Sequence, residues 1–228
     1  MISFENVFKN YPNGIDALNG VSFDIKDGEF VFLIGPSGAG KSTIEKLIWR
    51  EIIASDGKVY VDSRDVSKLK RKEIPYLRRK IGIVFQDFRL LPQKTVYENV
   101  AFAMEITGSS KSLIKEMTSA ALAITGLSKR ANDFPNQLSG GEQQRTALAR
   151  AIVNAPNMII MDEPTGNLDP QNTSEIMELL RNINNKGTTV IIATHDKNMV
   201  DKMNKRVIEI NKGMIVRDEL YGGYNNEE

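Results

Sequence analysis

The sequence predicts an α/β protein with a small antiparallel sheet beside its core and a helical subdomain inserted into it. Three observations predict this class. Short apolar runs typical of buried strands recur along the chain. Residues 2–8 and 21–25 alternate apolar and polar side chains, as half-exposed strands do. Residues 87–155 show no strong strand pattern, and their apolar residues follow helical spacing over 95–106, 112–125 and 141–153.

The most informative stretch is GPSGAGKST, which fits the G-x-x-x-x-G-K-[ST] pattern of phosphate-binding loops. The apolar run 30–34 before it is typical of a buried strand, and residues 42–53 after it favour a helix. The plainer interpretation, a glycine-rich turn between strand and helix, does not account for the Lys-Ser pair at this spacing. The loop consists of Gly35, Pro36, Ser37, Gly38, Ala39, Gly40, Lys41, Ser42 and Thr43.

This loop suits a nucleoside triphosphate for physical reasons. Its glycines allow the backbone to turn several N–H groups toward one point, and the positive end of the following helix adds to that field. Lys41 can reach the β- and γ-phosphates, and the Ser42 hydroxyl can bind Mg²⁺. The sequence therefore predicts nucleotide binding.

Composition narrows the class of protein. The 228 residues are 41% hydrophobic and 26% charged, as in ordinary globular proteins. A net charge of +1 gives no support to a nucleic-acid binder, and the absence of cysteine excludes disulfides and thiolate metal sites. No secretion signal or membrane-spanning apolar run is visible. We expect a soluble, cytoplasmic chain whose membrane role, if any, comes through a partner.

Polar residues follow three further apolar runs. In open parallel sheets, ligands bind at the carboxyl ends of the strands. The polar residues are Gln86 after 81–85, Asp162 and Glu163 at the end of the run from 157, and His195 after 188–194. Adjacent carboxylates at the end of a buried strand predict a cation there, with Mg²⁺ the obvious candidate. Because neighbouring residues of a strand point to opposite faces, we expect one carboxylate to hold the metal and the other to act as a base.

Several shorter features allow two interpretations each. Tyr11, in the turn 11–14, could stack on a nucleotide base or could be an ordinary exposed tyrosine. Ser139, before the helix at 141–153, could help to bind an anion or could only cap the helix, with Glu142 three residues on. The basic segment 67–79 is best interpreted as a helix with a solvated face.

With LSGGEQQR at 138–145, Gln86 and His195 added to the phosphate loop, the chain resembles ATP-binding-cassette (ABC) ATPases over nearly its whole length. The resemblance implies a single P-loop NTPase domain, residues 1–228, that hydrolyses ATP. Its parts would be a nucleotide-binding core with the β subdomain (1–86 and 156–217), the helical subdomain (87–155) and a loose acidic tail (218–228).

The resemblance also implies roles for the site residues. Tyr11 would stack on adenine, Ser42, Gln86 and Asp162 would bind Mg²⁺, and Lys41, Gln86, Glu163 and His195 would be catalytic, with Glu163 the base. The ABC signature would be Ser139, Gly140, Gly141, Glu142 and Gln143, and the D-loop acid would be Asp169. Because the chain has one phosphate loop and one signature, two copies would be needed to complete each site.

Within this family, stretches such as 73–82, 85–92 and 95–101 are similar to cell-division ATPases. Two local departures are a missing proline in residues 49–57 and Met161 in place of a smaller residue. The resemblance implies a membrane partner that docks near residues 86–104 and the activation of cell-wall hydrolases. Phe88, Leu90 and Leu91 could form the docking patch or could pack inside the helical subdomain. Three alternatives remain: an ATPase of a lipoprotein-release or macrolide-export transporter, an ABC protein acting on DNA or ribosomes, and a regulator without turnover.

Overall fold

The computed structural model describes residues 1–164, 166 and 169–224. In this part of the chain the strands, in order, are β1 (Ile2–Asn10), β2 (Asp16–Ile25), β3 (Phe30–Ile34), β4 (Asp56–Val61), β5 (Arg64–Asp65), β6 (Ile81–Val84), β7 (Met158–Asp162), β8 (Thr189–Ala193), β9 (Arg206–Asn211) and β10 (Met214–Glu219). The α-helices are α1 (Lys41–Ile48), α2 (Ile74–Arg79), α3 (Val96–Glu105), α4 (Lys111–Ile124), α5 (Gly140–Ile152), α6 (Pro170–Asn184) and α7 (Lys197–Met203). The chain forms two compact units, Met1–Arg78 with Thr189–Glu228, and Arg79–Thr188.

The first unit contains the small antiparallel sheet that the alternating sequence patterns predict. Its strands are ordered β2-β1-β4-β5. In the β1–β2 register Phe4 lies opposite Phe23, and the two rings stack with centroids 4.6 Å apart. Both side chains are buried, so one face of the sheet is apolar and packs into the core of the unit.

The same unit contains a mainly parallel set of strands in the order β10-β9-β3-β8. Strand β3 pairs in parallel with both β8 and β9, and every residue of β3 and β8 is buried. Strands covered on both faces have continuous apolar sequences, which explains the runs at 30–34 and 188–194.

The second unit combines the parallel pair β6–β7 with helices. Helices α3, α4 and α5 enclose an apolar cluster that includes Val100, Leu122 and Ala149. Helix α5 also approaches β6 so closely that a β-carbon at Gly82 would lie 2.6 Å from the carbonyl oxygen of Ala151. The three helices predicted in this region begin and end within one residue of the observed ones.

Two predicted helices are shorter in the structure. Helix α1 ends at Ile48 rather than at residue 53, because Arg50 is left-handed (φ 58°) and its guanidinium donates to the Val66 carbonyl at 2.7 Å. The segment 67–79 forms a 3₁₀ turn at Val66–Lys68 and then α2. Leu69 between them is extended (ψ 128°), which prevents one continuous helix.

The tail from Asp218 differs from the loose segment that its composition predicts. Strand β10 continues to Glu219, and Asp218 forms an ion pair with Arg206 at 2.8 Å. The Tyr224 amide donates to the Asp201 carboxylate at 2.6 Å. These contacts order the chain as far as Tyr224, and residues 225–228 lie outside the described part.

No helix among the described residues is long and apolar enough to cross a membrane.

Candidate functional site

The predicted phosphate loop connects β3 to α1 in the first unit, and its outer residues 36–38 are exposed. Gly35 (φ 143°) passes so close to β9 that a β-carbon there would lie 2.1 Å from the Ile210 carbonyl oxygen. Gly40 (φ 118°) caps α1, and a β-carbon there would lie 2.7 Å from the Ala17 carbonyl oxygen. The backbone path of the loop therefore requires glycine at both positions.

Lys41 begins α1 but its side chain folds back over the loop. Its ammonium donates to the carbonyl oxygens of Gly35 at 2.7 Å and Pro36 at 3.2 Å, and the residue is buried. Ser42 beside it is exposed. A cation is thus held over a turn and at a helix N-terminus, an arrangement that attracts an anion.

Tyr11 lies beside this loop. Its hydroxyl is 3.3 Å from Thr43 Oγ1, within hydrogen-bond distance, and the Lys9 ammonium lies 5.3 Å from its ring centroid. The ring is half-buried rather than fully exposed. The structure therefore brings Tyr11 to the phosphate loop, and its stacking on a base remains a prediction.

His195 lies at the same edge of the parallel strands as the phosphate loop. Strand β8 runs parallel to β3, and the Thr194 amide donates to the Leu33 carbonyl at 3.1 Å just past the end of β8. His195 follows Thr194 and is exposed, while Asp196 caps α7 through the Met199 amide. The first unit thus groups Tyr11, residues 35–43 and His195.

The second unit groups Gln86 with the two predicted carboxylates. Strands β6 and β7 are parallel, with Val84 opposite Met161, so the residues that follow them emerge at one edge. Gln86 is exposed, and Asp162 and Glu163 are half-buried. The three residues thus follow the carboxyl ends of neighbouring parallel strands, the edge at which such sheets bind ligands.

Glu163 departs from the geometry on which the prediction of its role depended. Strand β7 ends at Asp162, and Glu163 has a left-handed backbone with φ 47°. The alternation of faces along a strand therefore does not apply to this pair. Non-glycine residues adopt this conformation when surrounding contacts impose it, often at functional sites. The next residue, Pro164, accepts a hydrogen bond at its carbonyl from the buried Gln144 side chain.

Ser139 caps α5 through a reciprocal pair of hydrogen bonds with Glu142. The Glu142 amide donates to Ser139 Oγ at 3.3 Å, and the Ser139 amide and hydroxyl donate to the Glu142 carboxylate at 2.9 and 3.0 Å. The Ser139 amide, aided by its hydroxyl and by Arg130, lowers the pKa of Glu142. The capping interpretation is confirmed, and because Ser139 and Gly140 are exposed, the anion-binding role stays a prediction.

Asp169, the predicted D-loop acid, caps α6. Its carboxylate accepts from the amides of Gln171 at 3.0 Å and Asn172 at 2.9 Å, and from the Asn172 side chain at 2.6 Å. These bonds, led by the Asn172 amide, lower the pKa of Asp169.

Four side chains of the second unit form hydrogen bonds in or beside the predicted site segments but were not themselves predicted. They are Gln144, Arg145, Arg150 and Asn172. Arg145 donates to Asn172 Oδ1 at 3.1 Å, which connects the signature helix to the cap of α6. Gln144 and Arg145 lie in the LSGGEQQR stretch, so the signature motif could have indicated them as functional residues. Asn172 and Arg150 carry no signal in the sequence, because their roles depend on contacts distant along the chain.

The predicted Mg²⁺ ligands fit the ion by their chemistry. Ser42, Gln86 and Asp162 each offer an oxygen atom, and Mg²⁺ in nucleotide sites is held by one or two carboxylates together with phosphates and water. Within the described residues, no group of three or more histidine, cysteine, aspartate or glutamate side chains could hold a metal by itself. The ligands of a metal at this site stay predicted.

The model of the ABC transporter family matches residues 18–166, a span that includes the phosphate loop, the signature and both carboxylates. The chain belongs to the ABC transporter family. The match confirms the α/β P-loop fold class and the resemblance drawn from the motifs, and it makes the chain an ATP-binding ATPase.

This ABC ATPase matches curated relatives over essentially its whole length. It is 54% identical over 226 residues, 99% of each chain, to the "cell division ATP-binding protein FtsE" of Bacillus subtilis. It is 46% identical over 227 residues, all of both chains, to the protein of the same name in Escherichia coli. The resemblance to cell-division ATPases is thereby confirmed.

Solved structures of ABC cassettes share its fold. One is a dimeric post-hydrolysis state of the ATP-binding cassette MJ0796 bound to ADP and Pi, and another is a dimer of the same bacterial cassette. Each has a TM-score of 0.89 and 39% identity, covering 98% of this chain and 100% of the other.

Proposed function

We propose that this ABC ATPase is the ATP-hydrolysing subunit of a cell-division complex with the membrane protein FtsX. The observation that carries the proposal is its 46–54% identity, over essentially the whole chain, to proteins named cell division ATP-binding protein FtsE. In this complex, hydrolysis drives shape changes of FtsX that activate peptidoglycan hydrolases outside the membrane. The ATPase is cytoplasmic and lies on the inner face of the membrane through FtsX.

Hydrolysis depends on Mg²⁺ in this proposal. Lys41 and the amides of residues 35–43 bind the phosphates, and Ser42, Gln86 and Asp162 hold the metal, which neutralises phosphate charge. Glu163 orients and deprotonates the attacking water, and His195 contacts the γ-phosphate. The buried ammonium of Lys41 above the loop and the polar ends of β6, β7 and β8 support these roles.

The working unit is a homodimer. One copy supplies the phosphate loop, and Ser139 and Gly141 of the other copy complete the cage around the γ-phosphate. Two features support this arrangement: Ser139 and Gly140 are exposed at the start of α5, and the related MJ0796 cassettes are described as dimeric. A two-fold head-to-tail exchange then completes both sites, so ATP binding closes the dimer.

FtsX docks near residues 86–104 in this proposal. Phe88, Leu90 and Leu91 in that segment are half-buried, so each leaves part of an apolar side chain accessible. An apolar contact made there would respond to changes at Gln86, two residues before Phe88.

The partner is tested by affinity capture of the full chain from detergent-solubilised membranes of its own cells, followed by mass spectrometry. We expect FtsX as the captured membrane protein, with less of it on variants carrying Asp at positions 88, 90 and 91. Capture of a lipoprotein-release or macrolide-export permease instead would contradict the cell-division role. Undiminished capture by the Asp variants would contradict the docking segment alone.

The metal is tested separately by phosphate release from purified protein with ATP. We expect release in excess Mg²⁺ and none in EDTA, with activity restored when Mg²⁺ is added back. Hydrolysis that persists in EDTA would contradict the assigned ligands.

A further inference from the structure

The segment that follows Gln86 contains two consecutive residues in the left-handed conformation. Phe88 has φ 57° and Arg89 has φ 47°. This conformation is unfavourable for residues with a β-carbon, and it persists where surrounding contacts hold it. The local bonds, from the Phe88 amide to the Phe85 carbonyl and from the Arg89 amide to the Asp87 carbonyl, form a tight turn but do not connect it to the rest of the unit.

Arg150 provides that connection. It lies in the last turn of α5, and its two terminal nitrogens donate to the carbonyl oxygens of Phe88 at 2.6 Å and of Arg89 at 2.7 Å. The planar guanidinium can satisfy two adjacent acceptors at once, which an ammonium cannot do with the same geometry. One side chain therefore holds both left-handed residues.

The chemistry around Arg150 indicates that these carbonyls are its main partners. Burial lowers the pKa of its guanidinium, and no carboxylate among the described residues offsets that shift. Arginine remains protonated even so, and its charge must be compensated by hydrogen bonds. The backbone dipoles of Phe88 and Arg89 supply that compensation.

The far end of the same segment is held from α3. The buried Asn99 accepts from the Leu91 amide at 2.7 Å and donates to the carbonyls of Leu91, Lys94 and Thr95 at 2.9–3.1 Å. Asn99 is local in sequence, whereas Arg150 is about sixty residues away. Among the described residues, the side-chain hydrogen bonds of Arg150 join the turn at 88–89 to α5.

Helix α5 begins with the signature residues and ends near Arg150. A helix of 13 residues is about 20 Å long and behaves as a stiff rod. Its start, capped by Ser139, and its end, bonded to the turn after Gln86, must therefore move together. The signature therefore lies at one end of a stiff helix, and the segment that follows Gln86 is bonded to its other end.

We propose that Arg150 is a positioning residue that makes the Gln86 segment follow α5. The functional consequence rests on the proposed function, in which Gln86 contacts the metal site and residues 86–104 contact the membrane partner. When α5 moves as the dimer closes, Arg150 carries the carbonyls of Phe88 and Arg89 with it. Closure at the signature is thereby transmitted to Gln86 and to the docking segment.

The holding contact is tested by limited proteolysis of the full chain with trypsin, which cleaves after Arg89. The carbonyl of the Arg89–Leu90 bond is the one that Arg150 binds, so cleavage requires that hydrogen bond to open. We expect Arg150→Gln to be cleaved there about tenfold faster than the wild type, since local opening controls the rate. Arg150→Lys keeps the positive charge but loses the planar, forked arrangement of donors, so it should be cleaved after Arg89 at an intermediate rate.

Arg78 offers a matched control. It also donates to two carbonyl oxygens, those of Trp49 and Arg50, each at 3.1 Å, but not in the Gln86 segment. Arg78→Gln should leave cleavage after Arg89 unchanged. Cleavage after Arg181, inside α6, measures general unfolding. An Arg150→Gln variant cut equally faster at both bonds, or no faster after Arg89, would overturn the proposal.

Steady-state kinetics test the consequence. Arg150 does not lie in the phosphate loop, so Arg150→Gln should lower kcat by about tenfold while the KM for ATP stays within about twofold. Faster cleavage after Arg89 with an unchanged kcat would overturn the transmission to Gln86. The proteolysis uses no partner, so failure to capture FtsX would count against the proposed function and leave the contact of Arg150 unaffected.

Discussion

Gly141, in the first turn of α5, lies against Asn172 on α6 with no room for a side chain between them. A β-carbon at position 141 would be 2.2 Å from Asn172 Oδ1. Asn172 cannot turn away freely, because its Oδ1 accepts from Arg145 and its amide donates to Asp169. The second signature glycine is therefore required by packing within one chain, before any contact with a second copy.

Gly141→Ala should destabilise the protein by about 1–3 kcal/mol, the usual result of overpacking a close contact. Asn172→Ala removes the obstructing oxygen, so the double variant should be more stable than the sum of the two single effects implies. Urea unfolding of all four proteins measures this coupling. Strictly additive effects would show that the two side chains do not compete for the same space.

Glu163→Gln should abolish most ATP hydrolysis while leaving ATP binding intact, because the amide cannot accept a proton from water. With ATP and Mg²⁺ the variant should accumulate as a dimer in size-exclusion chromatography. Glu178→Gln, which changes an exposed carboxylate on α6, serves as the control and should behave like the wild type. Hydrolysis by Glu163→Gln at the wild-type rate would mean that another group is the base.

Ser139 offers a way to separate capping from binding in trans. Aspartate and asparagine both cap helices well, but only aspartate carries a negative charge. Introduced into the Glu163→Gln chain, Ser139→Asp should prevent the ATP-dependent dimer by repelling the γ-phosphate, and Ser139→Asn should preserve more of it. Melting temperatures verify that α5 is intact in both. Equal dimer fractions for the two variants would contradict a contact between Ser139 and the nucleotide.

The cap of α5 should also contribute a pH-dependent part of the stability. The Ser139 amide lowers the pKa of Glu142 below its ordinary value of 4.5, so the folded state favours the carboxylate. The unfolded chain then binds the proton more readily, and the stabilisation, present above about pH 4.5, is lost as the pH falls through the lowered pKa.

Comparison of the wild type with Glu142→Gln measures this contribution. The difference in their unfolding free energies should shrink between about pH 5 and about pH 3. Glu116→Gln, exposed on α4, controls for the loss of one negative charge. A difference that is constant over this range would show that the Glu142 charge adds nothing to the cap.

Local patterns predicted the elements whose causes are local. Lys41 and the glycines around it were recognised by spacing, and helices α3, α4 and α5 by apolar periodicity. The errors arose where distant contacts decide the structure. Helix α1 ends early because Arg50 bonds to Val66, and the tail continues as a strand because Asp218 pairs with Arg206.

By itself, the sequence determined the phosphate loop, helices α3, α4 and α5 and the family, since these depend on residue types at fixed spacing. Only the tertiary structure decided which side chains hold those segments. It turned Glu163 into a left-handed residue, placed Asn172 against Gly141 and brought Arg150 to the turn after Gln86. The physical reason is that such contacts join residues far apart along the chain, where no spacing rule connects them.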